Sequence, residues 1–203
     1  MAGLIAAIPR RFRAAALAAA ALVAVLVLPC QATTTVFKHI DRTFLKGNEV
    51  RVLADGDYYP ALEQAIDGAQ RQIRMVMFLF RPTGSGNNRP AKIIAALGRA
   101  RKRGVDVRVI LEAAKDDSSL NSSNRAAARK LREQGIAVFY DTPTTTTHAK
   151  MVVIDGRTSV VGSHNLTQSA LSRNHELSLI IDNRDLAARL LDYIERLPAH
   201  PAN

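Results

Sequence analysis

The sequence predicts an α/β domain with a largely parallel or mixed central sheet. Apolar runs of strand length alternate along the chain with amphipathic stretches of helical spacing. The run "IRMVMFLF" (Ile73–Phe80) is almost continuously apolar, the pattern of a strand covered on both faces. Hydrophobic residues make up 47% of the 203 positions, a globular composition with enough chain for one sizeable core.

Residues 1–32 are set apart. Arg10, Arg11 and Arg13 precede an uncharged run from Ala14 to Leu28, and "PCQA" follows. This is the layout of a secretory signal peptide cleaved after Ala32, with an uncleaved anchor as the alternative. Residues 33–49 then read as an N-terminal joint, and Phe37–Leu53 as irregular with short strands. Cys30 is the only cysteine, so a chain cleaved after Ala32 has no disulfide and no thiolate metal site. Cleavage removes three of the 28 basic residues and none of the 18 acidic ones, leaving 25 against 18, or +7. Export is the expectation, to the periplasm or outside the cell, and the basic balance points to a polyanionic partner.

The elements follow in order. "YPALEQAIDGAQRQI" sets Leu62, Ala65, Ile66 and Ala69 at helical spacing, and Ile73–Phe80 is the strand after it. "RPTGSGNNRP" is a loop by its Gly, Pro and Asn content. "PAKIIAALGRARKRG" opens with Pro90 and ends in basic residues before Gly104, as helices do. "VDVRVIL" is a strand, "SSNRAAARKLREQG" a helix closing at Gly135, and "IAVFY" a strand. "KMVVI" and "TSVVGS" pair around the turn "DGR". "HELSLII" is a last strand and "RDLAARLLDYIERL" a C-terminal amphipathic helix. No segment is repeated.

The chemistry concentrates late in the chain. Residues i and i+2 of a strand share a face, so His148 and Lys150 point together, with Val152 and Ile154 continuing that face and Met151 and Val153 behind it. "GSHN" sets Ser163 and Asn165 at the same spacing beside Gly162, where a hydroxyl and an amide offer donors to a phosphate oxygen. Glu176 is placed to accept a proton from an imidazole. A base or nucleophile, a cation, neutral donors and an orienting carboxylate are the parts of a phosphoryl-transfer site. Asp155 reads equally as a turn aspartate. His164 alternates with Ser163 and Asn165 and should face away. No histidine pair has metal-ligand spacing, so the expected chemistry uses no metal and no cofactor.

The pattern H-x-K-x4-D-x6-G-S-x-N, met by His148, Lys150, Asp155, Gly162, Ser163 and Asn165, resembles the signature of the phospholipase D superfamily. "GRARKRGVDVRVIL" and "SRNHELSLII" extend the resemblance over about Val50–Leu197, making residues 50–198 the catalytic domain. The single motif is similar to that of small bacterial endonucleases, whereas the long lipases carry two. The resemblance implies an α-β-α sandwich with a mixed central sheet and helices on both faces. It implies a phosphohistidine mechanism in which one histidine attacks phosphorus and another protonates the leaving oxygen. His148, Lys150, Asp155 and Glu176 form its catalytic set, with Asp155 in a positioning role and Glu176 holding the histidine tautomer. Lys150, Ser163 and Asn165 are the expected phosphate ligands. One motif supplies one histidine, so a homodimer with a composite active site is expected.

Two substrate classes fit. A non-specific endonuclease is favoured by Arg99, Arg101, Lys102 and Arg103 at one helix end, and by Arg71, Arg74, Arg81 and Arg89. A phospholipase or phosphatidyl-transfer enzyme acting on phospholipid would use the same residues. A non-catalytic binding module is disfavoured because every motif position is filled.

Overall fold

The structure, a computed structural model, describes residues 49–84 and 88–202. The leader expected over 1–32 and the joint up to residue 48 lie outside the described residues.

Eight strands form one mixed sheet in the order β1-β7-β6-β5-β2-β3-β4-β8. These are β1 (Glu49–Ala54), β2 (Gln72–Met77), β3 (Asp106–Leu111), β4 (Ala137–Asp141), β5 (Lys150–Ile154), β6 (Thr158–Gly162), β7 (Leu177–Asp182) and β8 (Ala199–Pro201). Strands β2, β3 and β4 are parallel, and every other pairing is antiparallel. The helices are α1 (Tyr58–Gly68), α2 (Arg89–Lys102), α3 (Ser118–Glu133) and α4 (Arg184–Arg196).

Capping fixes three of the helix starts. Asn88, Asp117 and Asn183 each accept a hydrogen bond from the backbone N–H three residues on, at Ala91, Leu120 and Leu186. Asp117 starts α3 at Ser118, four residues before the helix expected from Ser122. β1 falls at the end of the stretch expected to be irregular with short strands, whereas β8, a three-residue edge, was not expected.

Alternation along the strands divides the core between the two faces. Met75, Met77, Val152 and Ile154 pack with Leu62, Ile66, Ile93, Leu97, Ala127 and Leu131 of α1, α2 and α3. Val76, Met151 and Val153 face the other way, onto Ala187 and Ile194 of α4. The sandwich therefore has helices on both faces, three against one. Beyond the reach of α4, β1 and β7 leave Val50, Val52 and Leu177 45%, 56% and 58% exposed. Their pairing partners Ile181, Leu179 and Ala54 place all three on the α4 face.

The β5–β6 turn joins the sheet to the loop before β2. Asp155 and Gly156 both have positive φ, as a tight hairpin turn of this hand requires. The Asp155 carboxylate accepts from the backbone N–H groups of Gln70, Arg71 and Gln72 at 2.8–3.0 Å. Burial pushes its carboxyl up, but these donors and the nearby Arg71 outweigh burial and hold it below the ordinary value of 3.8. A depressed carboxyl stabilises the fold above the unfolded-state value and loses that contribution as pH falls through the folded one. Asp155→Asn should therefore lower stability at neutral pH by roughly 1–3 kcal/mol. Denaturant titrations at pH 7 and pH 3 should show the difference shrinking at the lower pH.

Candidate active site

Lys150 opens β5, all five residues of which are buried. Only 7% of Lys150 is exposed. Its ammonium donates to the His148 carbonyl at 2.7 Å and lies 4.8 Å from the centre of the Phe78 ring. The His148 ring meets the same Phe78 face edge-on, with centroids 4.4 Å apart. Phe78 follows directly on β2, whose Met77 pairs with Lys150. The strand therefore delivers histidine and lysine to one aromatic floor. That floor was invisible in the sequence, where Phe78 is one apolar residue in a run of eight.

The electrostatics suit a nucleophile beside an anion site. Desolvation lowers the His148 imidazole below its ordinary value, and the neighbouring Lys150 charge adds to it, so the ring is neutral at pH 7. Desolvation also lowers the Lys150 ammonium, against the pull of Glu176. A buried cation of this kind gains by pairing with a phosphate oxygen.

Ser163 and Glu176 meet at the neighbouring strand ends. Ser163 donates through Oγ to the Glu176 carboxylate and accepts from Leu177 N–H, while Asn174 donates to the other Glu176 oxygen at 3.1 Å. In the single chain Glu176 thus holds Ser163 and Asn174 and makes no hydrogen bond to His148, contrary to the orienting role expected of it. The Oδ1 atom of Asn165 is buried and accepts from none of the described residues, so this amide oxygen is not committed to the fold. Gly162 permits the close approach of β6 to β7, since a Cβ there would fall 2.4 Å from the Ser178 Cα.

Asp155 is not brought to this cluster. It sits at the opposite end of β5, about 17 Å of strand from Lys150, and its carboxylate is taken up by the backbone before β2. Its place in the motif is structural, because it fixes the register of β5 against β2. His164 faces away as expected. Fully buried, it stacks on Tyr58 at 4.2 Å and bonds Ser178 Oγ and the Asp55 carbonyl through its two ring nitrogens. His175 is exposed beside Asp55, and His200 lies on the β8 edge against Tyr140.

Three polar residues that the sequence did not single out hold the site from behind. Asn124 of α3 is fully buried, donates to the carbonyls of Phe78 and Glu112, and accepts from Phe80 N–H. It thereby pins the segment carrying the aromatic floor. Glu112 and Asp141, each 1% exposed, end β3 and β4. Glu112 accepts from Thr147 N–H at 2.6 Å, immediately before His148, and Asp141 accepts from Ala113 N–H at 2.7 Å. Burial, and then the neighbouring Asp141, push the Glu112 carboxyl up to about 7.

A raised carboxyl stabilises the fold fully below its unfolded value, 4.5, and that contribution is gone above about 7. The wild-type melting temperature should fall across this window. Glu112→Gln, which keeps a neutral hydrogen-bonding group, should flatten the fall. Glu112→Ala should be less stable at every pH. A wild-type slope unchanged in Glu112→Gln would show that the titrating group lies elsewhere.

Residues 62–198 match the family model described as cardiolipin synthase, PLD-like domain. The chain is 31% identical over 160 residues to cardiolipin synthase A of Pectobacterium carotovorum, covering 74% of this chain and 31% of that protein. It thus spans about a third of the length of the curated relatives it matches. Among solved structures it resembles Nuc from Salmonella typhimurium, a phospholipase D family member (26% identity, TM-score 0.66), over 77% of this chain and 99% of that one. NucT from Helicobacter pylori shares the fold at 15% identity and TM-score 0.61, over 76% and 99% of the two chains. The family match over residues 62–198 and the motif residues of β5 and β6 show that the chain belongs to the phospholipase D superfamily.

Proposed function

We propose that the protein is an exported endonuclease, periplasmic or secreted, that cleaves DNA without sequence preference and without a metal ion. The observation that carries this reading is an exposed His148 beside the buried Lys150 ammonium, in a domain that covers nearly the whole of Nuc. A ring nitrogen of His148 attacks phosphorus and the P–O bond to the leaving oxygen breaks. Lys150, with Ser163 and Asn165, stabilises the charge on the non-bridging oxygens. A second histidine gives its proton to the leaving oxygen. It then takes one from water as that water displaces the phosphohistidine, restoring both rings.

The second histidine comes from a second copy of the chain. Among the described residues His164 and His200 are engaged elsewhere and His175 pairs with Asp55, while His39 lies outside them. The uncovered apolar face of Val50, Val52 and Leu177 adjoins Glu176 at the catalytic end, which supports an isologous interface there. Each dimer then holds one composite site on its two-fold axis.

Phospholipid is the alternative substrate. It is favoured by the similarity to cardiolipin synthase A, although this chain spans only 31% of that protein. Plasmid DNA, phosphatidylcholine and cardiolipin, assayed in EDTA, separate the two. Wild type should nick plasmid in EDTA and His148→Ala should lose several orders of magnitude in rate. Loss of wild-type activity on adding EDTA would overturn the metal-free mechanism.

The composite site has its own test. When wild type and His148→Ala are refolded together, activity should fall as the square of the wild-type fraction. A linear fall would show that each chain acts alone.

A further inference from the structure

The basic residues are divided between the two ends of the sheet, and only one end carries the catalytic residues. The cluster from Arg99 to Arg103 lies at the start of β3, opposite Lys150. There its arginines are taken up by the fold. Arg99 pairs with Asp67 and Glu63, Arg101 donates to the Gly135 carbonyl, and Arg103 donates to the Ile66 and Ala69 carbonyls. Arg74 pairs with Asp106 at the same end, and Arg71 donates to the Asp155 carbonyl.

At the catalytic end a cleft of about 300 Å³ opens beside the loop that leads into His148. Its lining includes Lys115, Asn121, Arg125, Tyr140, Pro143 and His200. Among the described residues neither Lys115 nor Arg125 has a carboxylate partner, and both are exposed. Asp116 and Asp117 share the loop with Lys115 but do not line the cleft, and Asp117 is turned to cap α3. Burial raises the Tyr140 phenol above its ordinary value, against the opposing charges of Arg125, Arg132 and Arg129, which lie close enough to act on it.

The register places this cleft on a single row across the sheet. Lys150 pairs with Met77, Met77 with Leu111, Leu111 with Tyr140, and Tyr140 with His200. Three strand spacings from Lys150 to Tyr140 amount to about 14 Å. That is about four base-pair steps measured along the axis of a B-form duplex.

We propose that this cleft is a nucleic-acid subsite. In it Lys115 and Arg125 take backbone phosphates of the strand whose scissile phosphate lies at His148, and the Tyr140 and His200 rings offer flat surfaces to its bases. This rests on the nuclease reading and adds to it the path of the strand. The cations give affinity and no base selectivity. The uncommitted state of Lys115 and Arg125 is what sets them apart from the arginines at the far end.

The double variant Lys115→Ala/Arg125→Ala tests the subsite against Lys102→Ala/Lys130→Ala, which removes the same charge from the groove between α2 and α3. The cleft variant should raise KM for DNA about tenfold and leave hydrolysis of bis(4-nitrophenyl) phosphate unchanged. It should also make the dependence of log affinity on log salt shallower by about 2. The groove variant should do neither. Equal effects of the two variants would overturn the subsite, since net charge alone would then explain them. An effect confined to cardiolipin vesicles would overturn it in favour of a lipid headgroup. Binding of a fluorescent oligonucleotide in the His148→Ala background separates the two levels of the reading. Weaker binding on adding the cleft substitutions supports the subsite even if no nuclease activity is found, and unchanged binding overturns it.

Discussion

A lysine ammonium buried at the head of an apolar strand is the constraint around which this domain is arranged. Lys150 cannot reach bulk water, because the rest of β5 lies in the core and the strand is paired on both sides. Its charge is held by one carbonyl, one aromatic face and a carboxylate at a distance. Such a group is under-solvated until an anion arrives, and that is the physical meaning of a preorganised phosphate site. Desolvation lowers both the Lys150 ammonium and the His148 imidazole, and the Lys150 charge lowers the imidazole further, so the two groups are tuned together at the head of β5.

Holding that corner still requires polar contacts from strands and helices distant in sequence. Asn124 fixes the backbone that carries Phe78, Glu112 fixes the residue before His148, and Glu176 fixes Ser163. Each is a buried or half-buried polar group satisfied by backbone or hydroxyl partners rather than by a cation. The Glu112–Asp141 pair is the exception in kind. Two buried carboxyl groups lie at the ends of neighbouring strands, and burial together with Asp141 raises the proton affinity of Glu112. The site is thus supported by groups that contribute to rigidity and leave the positive charge of Lys150 uncompensated.

Asymmetry runs through the rest of the molecule. Three helices cover one face of the sheet and one covers the other, which leaves an apolar strip beside the catalytic strand ends. Among the described residues the arginines at one end of the parallel strands are taken up by carboxylates and carbonyls, while Lys115 and Arg125 at the other have no carboxylate partner. Both imbalances lie close to Lys150, where the proposed dimer contact and the proposed path of the substrate strand converge.

The sequence by itself determined the α/β class, the alternation of faces along β5 and the set His148, Lys150, Ser163, Asn165 and Glu176, because strand period and motif spacing are local properties. It also carried the turn reading of Asp155, which the structure bears out in three backbone hydrogen bonds far from the site. What it could not carry is anything set by register between distant strands. Phe78, Asn124, Glu112 and Asp141 gain their roles only when β2, β3, β4 and β5 lie side by side. The basic cluster after Ala100 looked like a nucleic-acid contact because charge is visible in a sequence. Only the tertiary structure decided that its arginines are bound up at the far end of the sheet, while Lys115 and Arg125, unremarkable in sequence, stand at the candidate-site end with no carboxylate partner among the described residues.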